Sequence, residues 1–289
     1  MRELTYREKE LINRGYDKDL VSSLTYFTED EVNNASMKIF KELIKDCNIT
    51  NNPRCIFVGG QPGSGKSTKI DSIKYLFSDN IIIINMDLYR KYHPKYQWIV
   101  DTINRKWQGK ESDDNDSPGN DLADFTHFFA GEVSDKLIEL ASEVINGEAY
   151  NIAIEWGMRN SRAPLLTLEA LHNKGYYNEV IFIAVHKDKS LEACNYRDIS
   201  TKNDLTRRVS SSFHELYINE LPNSAKTIYE EGTSKGIINS FKLIDRNNNI
   251  LWDNKSNEDL YEVYYNYLNN WLHSLFFIIK IYVKKIEDK

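Results

Sequence analysis

The stretch Gly59-Gly60-Gln61-Pro62-Gly63-Ser64-Gly65-Lys66-Ser67-Thr68 decides the fold. It contains Gly60-x4-Gly65-Lys66-Ser67, with every position of the phosphate-loop pattern filled. The short apolar run Cys55-Ile56-Phe57-Val58 precedes it, as a buried parallel strand should. Apolar residues at helical spacing, Ile70, Ile73 and Phe77, follow it. Strand, glycine-rich turn and helix together let backbone N–H groups close around phosphate oxygens, with the positive end of the helix dipole behind them. Gly60, Gln61, Pro62, Gly63, Ser64, Gly65, Lys66, Ser67 and Thr68 are therefore the candidate nucleotide-binding set, with a nucleoside triphosphate and Mg²⁺ as the expected ligands. Lys66 is expected on the β- and γ-phosphates and the Ser67 hydroxyl on the metal.

The surroundings extend this nucleus into an α/β fold. A β-branched run, Asn80-Ile81-Ile82-Ile83-Ile84-Asn85, predicts a second strand buried on both faces. Tyr150 to Ile154 predicts a third strand, ending at Glu155, and Glu179 to Val185 a fourth. Helical patterns alternate with these strands between residues 54 and 230, which predicts a doubly wound, mostly parallel sheet flanked by helices. The segments 239–245 and 250–252 flank Arg246-Asn247-Asn248-Asn249, a hairpin signal. The expected organisation is a helical N-terminal appendage over 1–50, a P-loop core over 51–235, and a hairpin with a C-terminal helical segment over 236–289. Residues 109–121 read as an acidic, solvated loop, and a helix is predicted from about Leu122 to Ile145.

Composition narrows the class. The 289 residues carry 37 basic and 43 acidic side chains, a net charge of −6, which argues against nucleic acid as the main substrate. Three cysteines without metal spacing point to a reducing compartment, and the charged N-terminus offers no export signal, so the cytosol is the expected location. The aromatic run from Trp271 to Val283 is too short, and too interrupted by His273 and Lys280, to predict a transmembrane span.

Strand ends carry the candidate chemistry, because ligands of open α/β sheets bind beyond the carboxyl ends of the strands. Asp87, just past the second strand, is placed to accept a hydroxyl proton as general base. The competing reading is a helix cap. Glu155 is placed to bind substrate or to hold Mg²⁺ through water, with a structural role as the alternative. Arg197, Arg207 and Arg208 follow the fourth strand and suggest a lid that closes on the triphosphate. His93 and His214 read as hydrogen-bonded or packing histidines.

With these residues in place the chain resembles the zeta-toxin family across about residues 54 to 225. The resemblance rests on Gly60-Gln61-Pro62-Gly63-Ser64-Gly65-Lys66-Ser67 and Asp87-x-Tyr89-Arg90-x-x-His93-Pro94. It continues through Ile154-Glu155-x-x-x-Arg159 with Pro164, and through Arg197, Arg207-x-Val209, His214 and Leu221-Pro222. It implies a bacterial toxin kinase that uses ATP and Mg²⁺ to phosphorylate the 3′-hydroxyl of UDP-N-acetylglucosamine, with a helical antitoxin as partner. By that resemblance Lys66 holds phosphates, Ser67 the metal and Asp87 acts as base. Glu155 and Arg159 would contact the sugar nucleotide, and Arg197 and Arg207 would stabilise the transferring phosphoryl group. Glu132 is favoured over Asp135 and Glu139 for the family's acidic substrate contact. The family's Glu-Gly-Thr is here Glu155-Trp156-Gly157, which leaves the acceptor open. Kinases of other metabolites or nucleic-acid ends, and a regulatory nucleotide-binding module, are the alternatives.

Overall fold

The structure is a computed structural model that describes residues 3–111, 116–201 and 209–270, the last five before 202 by backbone alone. The chain divides into two compact units. One takes residues 1–45, 84–141 and 195–210; the other takes 46–83, 142–194 and 211–289.

The second unit carries most of the sheet. Its strands are β1 (Arg54–Gly60), β3 (Ile152–Glu155), β4 (Tyr177–Ile183), β5 (Ser240–Ile244) and β6 (Ile250–Asp253). With β2 (Ile82–Asn85), on which the division falls, they form six strands in the order β2-β3-β1-β4-β5-β6. β1 pairs in parallel with β3 and β4, and β4 in parallel with β5. β6, paired with β5, runs antiparallel. This is the doubly wound P-loop sheet expected from the sequence, with the phosphate loop leaving the central strand. β1 is buried almost throughout, so it needs apolar side chains on both faces, and Cys55, Phe57 and Val58 are fully buried. Helix α4 (Lys66–Leu76) returns across the sheet, and Ile70 and Ile73 join Ile56, Val58, Ile181 and Ile183 in one apolar cluster. Helices α7 (Arg162–Asn173), α9 (Ser211–Ser234) and α10 (Leu260–Asn269) also belong to this unit, as does most of α8 (Lys187–Thr201).

The first unit is helical: α1 (Tyr6–Asn13), α2 (Lys18–Thr25), α3 (Glu29–Leu43), a 3-10 helix (Met86–Tyr92), α5 (Tyr96–Trp107) and α6 (Pro118–Ala141). Thr5 with Glu8, and Thr28 with Glu31, close capping boxes on α1 and α3. Leu11, Val21, Leu24, Ile99, Ile103 and Phe125 form its core. α6 starts and ends about one turn earlier than the apolar pattern predicts, because Pro118, with its preset φ, opens the helix. That change corrects the reading of 109–121 as solvated throughout. Asp121 is fully buried in α6, where it accepts from Arg14 Nη1 at 2.7 Å, Tyr16 Oη at 2.6 Å and Trp107 Nε1 at 2.7 Å, and pairs with Lys106 at 3.1 Å. Asp124, also buried, takes Arg7 at 2.5 Å and the other arm of Arg14. Among the described residues no helix is long and apolar enough to cross a membrane. The 271–283 run lies outside the described residues.

Candidate active site

β1 delivers the phosphate loop, and its neighbours leave the loop little freedom. Gly63 has φ +74°, and a Cβ there would lie 2.1 Å from the Ser190 carbonyl oxygen and 2.9 Å from Cys194 Sγ, so glycine is required twice over. Gln61 is fully buried. Its amide donates to the Val185 carbonyl just beyond β4 and lies 3.5 Å from Ser190 Oγ. Ser190 in turn pairs with His214 Nε2 at 2.8 Å. Burial holds the His214 pKa below its ordinary value, so the ring is neutral at physiological pH. His214 is thus a packing residue that braces the loop through Ser190.

The Lys66 ammonium rests on the carbonyls of Gly60 and Gln61, 3.0 Å from each. Ser67 Oγ donates to Glu155 Oε1 at 3.2 Å, bringing together the first residue of the loop's hydroxyl pair and the strand-end carboxylate. This contact forms because β1 and β3 are adjacent and parallel, so both carboxyl ends open on one edge. The donor set fits Mg²⁺, which takes hard oxygen ligands and is usually held by one or two protein oxygens plus substrate phosphates. Among the described residues no group of three or more His, Cys, Asp or Glu side chains could hold a metal ion without such help.

Beyond Glu155 the chain makes a tight turn. Met158 takes φ +50°, rare for a residue with a side chain, and its carbonyl accepts from Ser224 Oγ at 2.7 Å. Gly157 faces Tyr217, whose hydroxyl would stand 2.6 Å from a Cβ. The departure at Trp156-Gly157 therefore has a local cause: Tyr217 fills the space that a side chain at 157 would need. Arg159 lies over the Tyr217 ring, 5.7 Å from its centroid, and pairs with Glu220 at 3.3 Å. Neither Tyr217 nor Glu220 was marked by any motif, because their role is set by helix packing alone.

Asp87 and Glu132 belong to the first unit. Asp87 lies in the 3-10 helix after β2, where the Asn85 side chain, not Asp87, caps the helix by accepting from the Asp87 N–H at 2.9 Å. The Asp87 carboxylate is held by Arg90, with Nε at 2.9 Å and Nη2 at 2.7 Å. Arg90 is buried and is fixed on its far side by the Ala123 carbonyl at 2.8 Å and Thr126 at 3.2 Å. Both contacts fall on Oδ1, so the planar guanidinium fixes the position of that oxygen more firmly than a lysine would. Glu132, Asp135 and Glu139 all lie on the exposed side of α6. Glu139 pairs with Lys136 at 2.8 Å. Arg197 lies in α8, and its side chain is outside what the structure describes, as are Arg207 and Arg208 entirely.

Comparison with known proteins agrees with this geometry. The zeta toxin family model matches residues 41–257. Toxin PezT of Streptococcus pneumoniae serotype 4 is 26% identical over 80% of this chain and 83% of its own length. Toxin zeta of Streptococcus pyogenes is 23% identical over 73% of this chain and 68% of its own. Among solved structures, a chain from the PezAT chromosomal toxin–antitoxin system of Streptococcus pneumoniae superposes with a TM-score of 0.67 at 21% identity, covering 92% of this chain and 99% of that one. A chain of the AvrRxo1-ORF1:-ORF2 complex gives a TM-score of 0.51 at 13% identity, covering 90% and 76%. At these identities the structural likeness shows the fold. The sequence match over most of the chain shows more: this protein belongs to the zeta toxin family.

Proposed function

We propose that this protein is a toxin kinase that transfers the γ-phosphoryl group of ATP to the 3′-hydroxyl of UDP-N-acetylglucosamine in the cytoplasm. The observation that carries the reading is the Ser67–Glu155 contact at 3.2 Å beside Lys66, in a chain of the zeta toxin family. A P-loop hydroxyl next to a strand-end carboxylate is the oxygen pair that a phosphoryl-transfer site needs. Mg²⁺, when bound there, would neutralise charge on the phosphates and hold them for in-line attack.

In this reading the loop amides and Lys66 bind and orient the triphosphate. Lys66 leaves the carbonyls of Gly60 and Gln61 as phosphate oxygens arrive. Asp87, aimed by Arg90, takes the proton from the acceptor hydroxyl. Glu155 and Arg159 hold the sugar nucleotide, with Glu132 as a further acidic contact. Arg197 and Arg207 meet the charge that develops on the transferring group. An antitoxin partner is supported by the names of the relatives, one of which comes from a toxin–antitoxin system. Trp156, whose ring centroid lies 6.1 Å from that of Phe57, favours a second reading in which the same chemistry serves a different small acceptor.

Induced expression in bacteria tests the toxin assignment. Wild type should arrest growth and accumulate a phosphorylated sugar nucleotide, and Lys66→Ala should do neither. Arrest by Lys66→Ala as strong as by wild type would reject phosphoryl transfer as the toxic act.

A further inference from the structure

Arg246 lies outside every motif of the family resemblance, in the turn between β5 and β6. β5 runs parallel to β4, so this turn opens at the carboxyl end of the sheet, where the phosphate loop also opens. Its guanidinium donates through Nη2 to the carbonyl of Gly63 inside the loop. Its stem passes Gly65: a Cβ there would lie 3.5 Å from Arg246 Cγ and 3.9 Å from Nε. Those are ordinary contact distances, so the arginine stem packs directly against the helix start.

The turn is built to hold that position. Asp245 is buried and accepts from the N–H groups of Asn247 and Asn249 and from the Asn249 side chain, each at 2.8 Å. Asn248 takes φ +64°, and its side-chain oxygen accepts from Lys69 Nζ at 2.7 Å, fastening the turn to the first turns of α4. Arg246 itself is exposed, with donors left to give. Its pose matches that of Lys66, which also rests on carbonyls of the same loop, those of Gly60 and Gln61. Two cations parked on loop carbonyls are in reserve for an anion, because a carbonyl is a weaker acceptor than a phosphate oxygen.

We propose that Arg246 is a nucleotide-binding residue, and that the β5–β6 turn is the outer wall of the triphosphate site. On nucleotide binding the guanidinium moves from the Gly63 carbonyl to phosphate oxygens of the nucleoside triphosphate. The proposal rests on the kinase reading for its ligand, but its test does not depend on the acceptor.

Calorimetric titration of the full chain with ATP, ADP and adenosine, for wild type, Arg246→Ala and Arg246→Lys, decides the matter. Arg246→Ala should weaken ATP and ADP by roughly ten- to a hundredfold, the range for a lost hydrogen bond between charged groups. Arg246→Lys should recover part of the loss, and adenosine binding should not change. An unchanged melting temperature without nucleotide verifies that the exposed substitution leaves the fold intact. Wild-type affinity for ATP and ADP in Arg246→Ala would overturn the proposal while sparing the kinase reading. An equal loss for adenosine would overturn it in favour of a base contact. Failure of wild type itself to bind ATP would take both down.

Discussion

His93 sits with its ring edge against Phe27 and Phe129, at centroid distances of 6.2 and 5.0 Å. Its Nδ1 accepts from the Lys95 N–H at 3.1 Å, and its Nε2 is buried with no hydrogen-bond partner among the described residues. Burial, with the Lys95 charge added, lowers its pKa from 6.5 to about 4. The sign follows directly. Between those values the unfolded chain binds a proton that the folded chain refuses, so stability falls as the pH drops from 6.5 towards 4. Moving from pH 7 to pH 5 should cost about 2 kcal/mol through this residue. Urea unfolding of His93→Phe should show an acid slope smaller by that amount, and an identical slope would contradict the burial account. The buried ring was foreseeable in part. The His-Pro pair marks a turn, but only the contacts of Phe27 and Phe129 determine which way the imidazole faces. Arg90 teaches the same lesson. The spacing Asp87-x-x-Arg90 was visible, yet the two-nitrogen hold on Asp87 Oδ1 depends on Ala123 and Thr126, more than thirty residues away.

At the scale of elements, α1 and the turn after it are fastened to α5 and α6 by a buried charge cluster as well as by the apolar core to which α2 contributes Val21 and Leu24. Arg14 faces Asp121 and Asp124, and Tyr16, Lys106, Trp107 and Arg7 complete their coordination. Burial works against the Arg14 charge, but hydrogen bonds to the two aspartates outweigh it and hold its pKa above the ordinary value. Removing Arg14 leaves two buried carboxylates short of counter-charge, which costs about 3–5 kcal/mol in comparable cases. Arg14→Ala should therefore lower the urea midpoint strongly without a change in slope, and a shift worth less than about 1 kcal/mol would show the pairs to be dispensable. None of this was legible in sequence. Arg14 and Asp121 are 107 residues apart, and the local composition around Asp121 is that of a solvated loop. Burial here is decided by partners at long range, which periodicity cannot register.

For the whole molecule, the sheet was legible and its far edge was not. The phosphate loop and the strand-end acids are local patterns, and alternating strands and helices allow few topologies. The sequence therefore yielded β1 to β4, the phosphate loop, and Glu155 beside it. The hairpin reading of 239–252 was also sound as local structure. It concealed that β5 is first a parallel partner of β4, and that its turn is another carboxyl-end loop carrying Arg246 to Gly63. Strand-end logic applied to Ile244 as it was to Asn85 and Ile154 would have marked Asp245 to Asn249 as part of the site. The central claim concerns what the assembled site does. Purified full chain, incubated with ATP, Mg²⁺ and UDP-N-acetylglucosamine and followed by mass spectrometry, measures it directly. The account predicts a sugar nucleotide heavier by one phosphoryl group and matching ADP, with Asp87→Asn slower by about 10²- to 10⁴-fold. Full turnover by Asp87→Asn, or no phosphorylated sugar nucleotide from wild type, would contradict it.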